Sequence, residues 1–322
     1  MHNIHIAGTG IWYPEDKINN DELVHSYNSY VDLFNTKNKE AIENGDMMQM
    51  QQSSVEFIEK ASGIKSRHVI DKNGILDNQR MMPRVDNEHE DRLSIHAIAG
   101  INAAKNALKQ AGISTKDIDA VIVGTSHAAR NYPAVAIEIQ NELQIDGYAY
   151  DMLVGCSSTT FAINNAYSDI ASGLANTILV INPEISTPFV NFTHRDKHFI
   201  FGDGCAATVI QKDSTSDKSF KILDRKLYTQ FSNNIRSNYS YLNRAAIDTK
   251  DNEDLLFHQN GRGVFKDVCP LVAKLITDQL ELNKIDPKEI SKFWLHQANG
   301  KMIRLITSKI LGTDDFDSSI TP

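Results

Sequence analysis

Basic charge is in deficit: 33 lysines and arginines stand against 41 aspartates and glutamates, a formal charge of −8 over 322 residues. That deficit leaves no cationic stripe to track a phosphate backbone, which argues against the nucleic-acid binders. Long apolar runs are missing as well, so no segment approaches the ~20 residues of a membrane-spanning helix. The first ten residues, M-H-N-I-H-I-A-G-T-G, carry neither the basic nor the apolar stretch of a secretory leader, and a cytoplasmic location is expected. Cysteine is scarce. Cys156, Cys205 and Cys269 lie far apart in the chain, so neither a disulfide nor a zinc or other metal site is expected. His194 and His198 are four apart, but the intervening R-D-K reads as a surface turn rather than a metal site. What remains is an apolar content of 41%, enough for one large or two medium domains with a real core.

Along the chain, buried strands alternate with helical patterns, the signature of an α/β fold with mainly parallel sheets. Residues 3–8 read as a first strand, and a helix opens at Asn20. The G-T-G of residues 8–10 invites a dinucleotide-binding reading, which fails because the third glycine of that pattern would fall at Tyr13. A helical insertion follows, at about residues 27–60, whose Met47, Met48 and Met50 read as packing residues. Residues 67–91 read as loop, 92–111 as a helix stopped by Gly112, and 119–123 as a strand. Further strands are expected at 147–154 and 177–182, with 199–203 and 206–210 as a pair around a glycine turn.

Cys156 stands in D-M-L-V-G-C-S-S, where an apolar strand gives way to helical spacing that runs to Gly173. A cysteine in the first turn of a helix faces unpaired N–H groups and the positive end of the dipole, which favour thiolate. The other reading is a small buried hydrophobe, which is what most free cysteines are. A repeat then adds a partner. L-K-Q-A-G-I-S-T-K-D-I-D-A-V-I-V-G, from Leu108, aligns with L-E-L-N-K-I-D-P-K-E-I-S-K-F-W-L-H, from Leu280, as a helix, loop and strand used twice. The alignment puts His296 just beyond a buried strand, at the end where open parallel sheets bind ligands. A cysteine opening a helix and a histidine ending a repeated strand form a candidate nucleophile and partner. The halves divide at 1–212 and 213–322.

These residues carry a resemblance. D-M-L-V-G-C-S, the turn F-G-D-G at 201–204, G-V-F-K-D-V at 263–268 and W-L-H-Q-A-N at 294–299 resemble the β-ketoacyl-acyl carrier protein synthase III family of the thiolase superfamily. The insertion and T-Q-F-S-N-N-I-R at 229–236 resemble its medium-chain, β-ketodecanoyl branch. The resemblance implies a duplicated αβαβα sandwich and a homodimer that needs no cofactor. It also implies a two-step condensation. An acyl group passes from a thioester of coenzyme A or carrier protein to Cys156, and malonyl-acyl carrier protein then loses carbon dioxide and attacks it. His296 would hold the enolate oxygen and Asn299 would meet the pantetheine arm. Lys301 would face the acidic carrier protein, or else be a solvated helix lysine.

Two departures go with it. Where ordinary members sandwich adenine between tryptophan and arginine, this chain aligns Phe57 and Ala61, so a ring is kept and the guanidinium is expected to be lost. By its own symmetry the second half is short of about fifty to sixty residues of the repeat. In the family those residues hold the catalytic asparagine and a second oxyanion donor, so acylation without condensation is the alternative expectation.

Overall fold

The computed structural model describes residues 3–85, 93–237 and 256–322. Its first strand, β1 (Ile4–Trp12), leads through β2 (Lys17–Asn19) into α1 (Asn20–Lys37), α2 (Lys39–Glu43) and α3 (Val55–Ser62). Next come β3 (Ser66–His68), α4 (Lys72–Leu76) and α5 (Ile95–Ala111). The centre of the chain is β4 (Ala120–Thr125), α6 (Val135–Glu142), β5 (Tyr148–Leu153), α7 (Ser158–Ser172), β6 (Thr177–Ile185) and β7 (Asp203–Lys212). The described part of the second half holds β8 (Phe220–Lys221), β9 (Ile235–Ser237), β10 (Phe257–Gln259), α8 (Gly261–Leu282) and α9 (Gly300–Leu311).

Six strands form one sheet in the order β5-β4-β6-β7-β1-β8. Only the neighbours β5-β4 and β4-β6 pair in parallel; β7 is antiparallel to both β6 and β1, so the sheet is mixed rather than mainly parallel. Period-two alternation splits β4 between two cores. Val121 and Val123 pack with α5 and α6, while Ala120 and Ile122 pack with Ala162, Ala166 and Ile170 of α7. β8 lies beyond the expected division at 212 and still pairs with β1.

The glycines of G-T-G serve packing. A Cβ on Gly10 would lie 2.2 Å from the Ala103 carbonyl oxygen and one on Gly8 2.6 Å from that of Ala107, so α5 rests directly on the β1 backbone.

Several local expectations change. Residues 199–202 form no strand, and β7 begins at Asp203. There the F-G-D-G turn works as an anchor: the Asp203 carboxylate accepts from Thr187 N–H (2.9 Å), Thr187 Oγ1–H (2.6 Å) and Ile70 N–H (2.8 Å). The stretch expected as loop contains β3 and α4, and its residues 86–91 lie outside the described ones. Met50 packs against the helical insertion, whereas Met48 is 89% exposed. His198 is fully buried, not part of a surface turn; its ring stacks on Tyr27 at 4.5 Å, and His194 stays exposed.

The repeat is visible in the backbone. Ile113 N–H bonds to Leu108 O and, at the same offset, Ile285 N–H to Leu280 O; Gly112 and Lys284 both take positive φ, 72° and 57°. The correspondence ends at the strand. β4 pairs with β5 on one side and β6 on the other, but residues 292–296 are in no strand, and among the described residues no strand lies beside them. The terminal peptide takes one edge instead, with Phe293 N–H bonded to Ile320 O (2.8 Å) and the Lys292 and Gln297 side chains bonded to Ser319 O and Pro322 O. One backbone bond does not make a ladder. Trp294 is consequently 78% exposed.

Candidate active site

The carboxyl ends of β4, β5 and β6 converge on the segment that carries Cys156. Cys156 occupies a single 3-10 turn, Gly155–Ser157, that runs straight into α7. Gly155 enters this turn at φ 57°, a conformation that glycine adopts without strain. Ser158 fixes the turn. Its hydroxyl accepts from Val154 N–H (2.9 Å) and lies within hydrogen-bond distance of Gly155 O (2.7 Å) and Thr125 O (3.1 Å). Beneath it Gly124 leaves the room that the turn needs, since a Cβ there would be 2.8 Å from Ser158 O.

Of the three cysteines, Cys156 is exposed and Cys205 and Cys269 are buried, which removes the core-filler reading for Cys156. The expectation of a thiolate is not met. Surrounding protein pushes the Cys156 thiol up, the Glu184 carboxyl pushes it further, and the thiol's own backbone N–H opposes both. Desolvation outweighs that N–H here.

His296 is also exposed, on the unladdered segment before α9, and the surrounding protein lowers its pKa, so the ring is neutral at neutral pH. No hydrogen bond joins Cys156 and His296. Both side chains are exposed.

Other predicted residues do meet. Asn299 caps α9, its Oδ1 accepting from Lys301 N–H (2.9 Å) and Met302 N–H (3.4 Å), while its Nδ2 donates to Ala61 O of α3 (2.8 Å). Its amide is thus engaged within the protein, and it ties the helix that carries Phe57 to the helix that follows His296. The side chain of Lys301 is solvated at the start of α9. At Phe57 the expected loss of a guanidinium is corrected: Arg195 lies over the ring at 3.7 Å from its centroid, held by an Nε–H bond to Gln52 O (2.8 Å). Alignment of α3 alone could not show this, because the arginine comes from the segment before β7.

Sequence reasoning also passed over Glu184, Ser126 and Ser158. An acid closing an apolar strand was the available signal for Glu184; the two serines carry none without the fold.

Residues 150–230, which include the Cys156 turn, match the sequence model described as 3-Oxoacyl-[acyl-carrier-protein (ACP)] synthase III. Over 293 residues the chain is 50% identical to the beta-ketodecanoyl-[acyl-carrier-protein] synthase of Pseudomonas aeruginosa, covering 90% of this chain and 84% of that protein. The chain belongs to the β-ketoacyl-acyl carrier protein synthase III family. A more distant member, the synthase III of Streptococcus gordonii, is 28% identical over 273 residues, covering 84% of this chain and 77% of that one. The crystal structure of the synthase III of Aquifex aeolicus superposes with a TM-score of 0.71 at 24% identity, over 100% of this chain and 83% of that one, and shares the fold. Members of this family are acyl-transferring condensing enzymes, and the chain is accordingly an acyltransferase of fatty acid biosynthesis.

Proposed function

We propose that the chain condenses a medium-chain acyl primer with malonyl-acyl carrier protein by way of an acyl group held on Cys156. The observation that carries this reading is the Cys156 turn itself: the one exposed cysteine, at the mouth of three parallel strands, on a serine-pinned entry to a helix. The medium-chain preference rests on the 50% identity to a synthase named for a ten-carbon product.

In the first step the Cys156 sulfur attacks the carbonyl carbon of an acyl thioester. The carbon–sulfur bond to the donor breaks, and the donor leaves as a thiol carrying the proton that Cys156 has lost. In the second step malonyl-acyl carrier protein releases carbon dioxide, and the resulting carbanion attacks the acyl carbon and expels Cys156 as thiolate. The neutral His296 ring is in the right protonation state to donate a hydrogen bond to the enolate oxygen. Phe57 with Arg195 offers a flat, cationic surface for the donor, coenzyme A included. Asn299 serves the substrate arm through the α3–α9 wall that it ties together, and Lys301 offers a charge to an acidic carrier. No described helix is long and apolar enough to cross a membrane. A cytoplasmic homodimer, each chain read as two halves that meet near residue 212, completes the reading.

Intact mass tests it. Exposure to octanoyl-coenzyme A is expected to add one octanoyl group to the wild type and none to Cys156→Ala, and malonyl-acyl carrier protein is expected to discharge the adduct as a β-ketoacyl product. A folded wild type that takes up no acyl group would remove Cys156 as the carrier. Sedimentation at micromolar concentration checks the dimer.

A further inference from the structure

The acylation step as written uses Cys156 and leaves one neighbouring ionisable group without a task. Glu184 is the penultimate residue of β6. Ile178 and Val180 pack on the α7 face of the sheet and Asn182 reaches Gly124 O, so by strand alternation Glu184 points to the face from which the Cys156 turn rises. Opposite it on β7 stands Gly204, which supplies no side chain to cover it.

Ser126, the first residue after β4, fixes one oxygen: Ser126 N–H (2.8 Å) and Oγ–H (3.2 Å) both donate to Glu184 Oε1. No hydrogen bond is made by Oε2, and no lysine or arginine pairs with the group among the described residues. The titratable neighbours are Cys156 on the α7 side and Cys205 of β7, both pushed up chiefly by burial and further by the Glu184 charge. His127, next to Ser126, turns away to stack on Phe189 at 4.0 Å. Glu184 itself is raised from 4.5 to about 7, chiefly by burial, with the Ser126 bonds working the other way.

We propose that the Glu184 carboxylate is a positioning residue that acts on Cys156 by charge, keeping the nucleophile in its thiol form before substrate binds. An ionised carboxylate with one oxygen pinned and no cation beside it projects its field toward the Cys156 turn, where a thiolate would be a second negative charge. Because Glu184 titrates near neutrality, the restraint is strongest above that pH and relaxes as Glu184 takes up a proton. Binding of a substrate that desolvates the carboxylate further would favour its neutral form and release the restraint. This role rests on the reading of Cys156 as the acyl-carrying nucleophile.

Alkylation of Cys156, followed by peptide mass against pH, tests it without requiring turnover. Glu184→Gln keeps an oxygen to accept both Ser126 bonds and removes only the charge. The thiol midpoint is expected to fall by about one pH unit where the wild-type carboxylate is ionised, so that iodoacetamide reacts about fivefold faster at pH 8 and only about twofold faster at pH 7. Iodoacetate, itself anionic, is expected to gain more than iodoacetamide does. A variant with native unfolding behaviour and an unchanged alkylation profile would show that Glu184 is only a tether for Ser126. Slower alkylation would show a proton acceptor instead, and either result overturns the proposal. Should Glu184→Gln fail to fold, the wild type suffices: its iodoacetate-to-iodoacetamide rate ratio is expected to fall as pH rises through about 7, and a flat ratio overturns the proposal. Failure of octanoyl transfer in the mass experiment would leave these rates readable, so the two claims fail separately.

Discussion

At Gly124 one hydrogen atom sets the height of the nucleophile above the sheet. A methyl group there meets Ser158 O at 2.8 Å and Asn182 Nδ2 at 3.0 Å, and the first of these is helix backbone that cannot rotate out of the way. Gly124→Ala is therefore expected to destabilise the fold by about 1–3 kcal/mol, the usual cost of overpacking a filled site. It is also expected to slow octanoyl transfer to Cys156 beyond what lost stability explains, because α7 and its entry turn must lift together. Urea unfolding and the initial rate of adduct formation measure the two parts. An adduct rate that simply follows the folded fraction would mean that the height of the turn does not matter. Gly10, by contrast, meets α5 backbone far from the site, so a substitution there belongs to stability alone.

At the scale of elements, Asn299 shows how a residue singled out from a motif can have its side chain occupied by architecture. It was legible in sequence as part of W-L-H-Q-A-N, but its bond to Ala61 O crosses 238 positions of chain and has no local signal. Asn299→Ala is expected to lose the α9 cap, a cost of about 0.5–2 kcal/mol, together with the tether to α3. Asn299→Asp keeps an acceptor at a helix N-terminus and loses only the donor to Ala61 O, so it is expected to recover the cap but not the tether. Urea unfolding of the two variants separates the contributions; equal losses would mean that the cap contributes nothing. Much of the element pattern was legible for physical reasons. The helix stops at Gly112 and Gly173 follow from the left-handed geometry those positions adopt, and the Leu108 and Leu280 repeat follows from shared hydrogen bonds. The strand expected before His296 was not legible, because apolar pattern specifies which face is buried but not whether a neighbouring strand is there to complete the ladder. The antiparallel β7, the buried His198 and the guanidinium over Phe57 were missed for a related reason, each being decided by contacts between segments distant in sequence.

For the whole molecule, two buried imidazoles and one buried carboxyl contribute to how stability responds to acid. His96 and His198 are held to about 4 by burial, against 6.5 in an exposed histidine. His198 shows why. Burial dominates, with its Nε2 left without a partner, and Arg67 and Arg195 add positive charge nearby; the Nδ1–H bond to Arg195 O (2.7 Å) works the other way. With folded pKa values below the unfolded ones, the unfolded chain binds more protons between about 6.5 and 4, so these two groups reduce stability as pH falls through that window. Glu184 works in the opposite sense. Raised from 4.5 to about 7, it is protonated more readily in the folded chain, so its contribution declines as pH rises through that range. Between 4.5 and 6.5 two imidazoles oppose one carboxyl, and these three groups together make acidification destabilising. His198→Phe preserves a ring to stack on Tyr27 and removes the proton uptake. It is expected to lose the Arg195 bond at every pH, yet to show a shallower decline in unfolding free energy from pH 6.5 to 4 than the wild type. Urea unfolding at pH 6.5, 5 and 4 makes the comparison, and parallel declines would mean that His198 is already charged in the folded protein, which its partnerless Nε2 argues against.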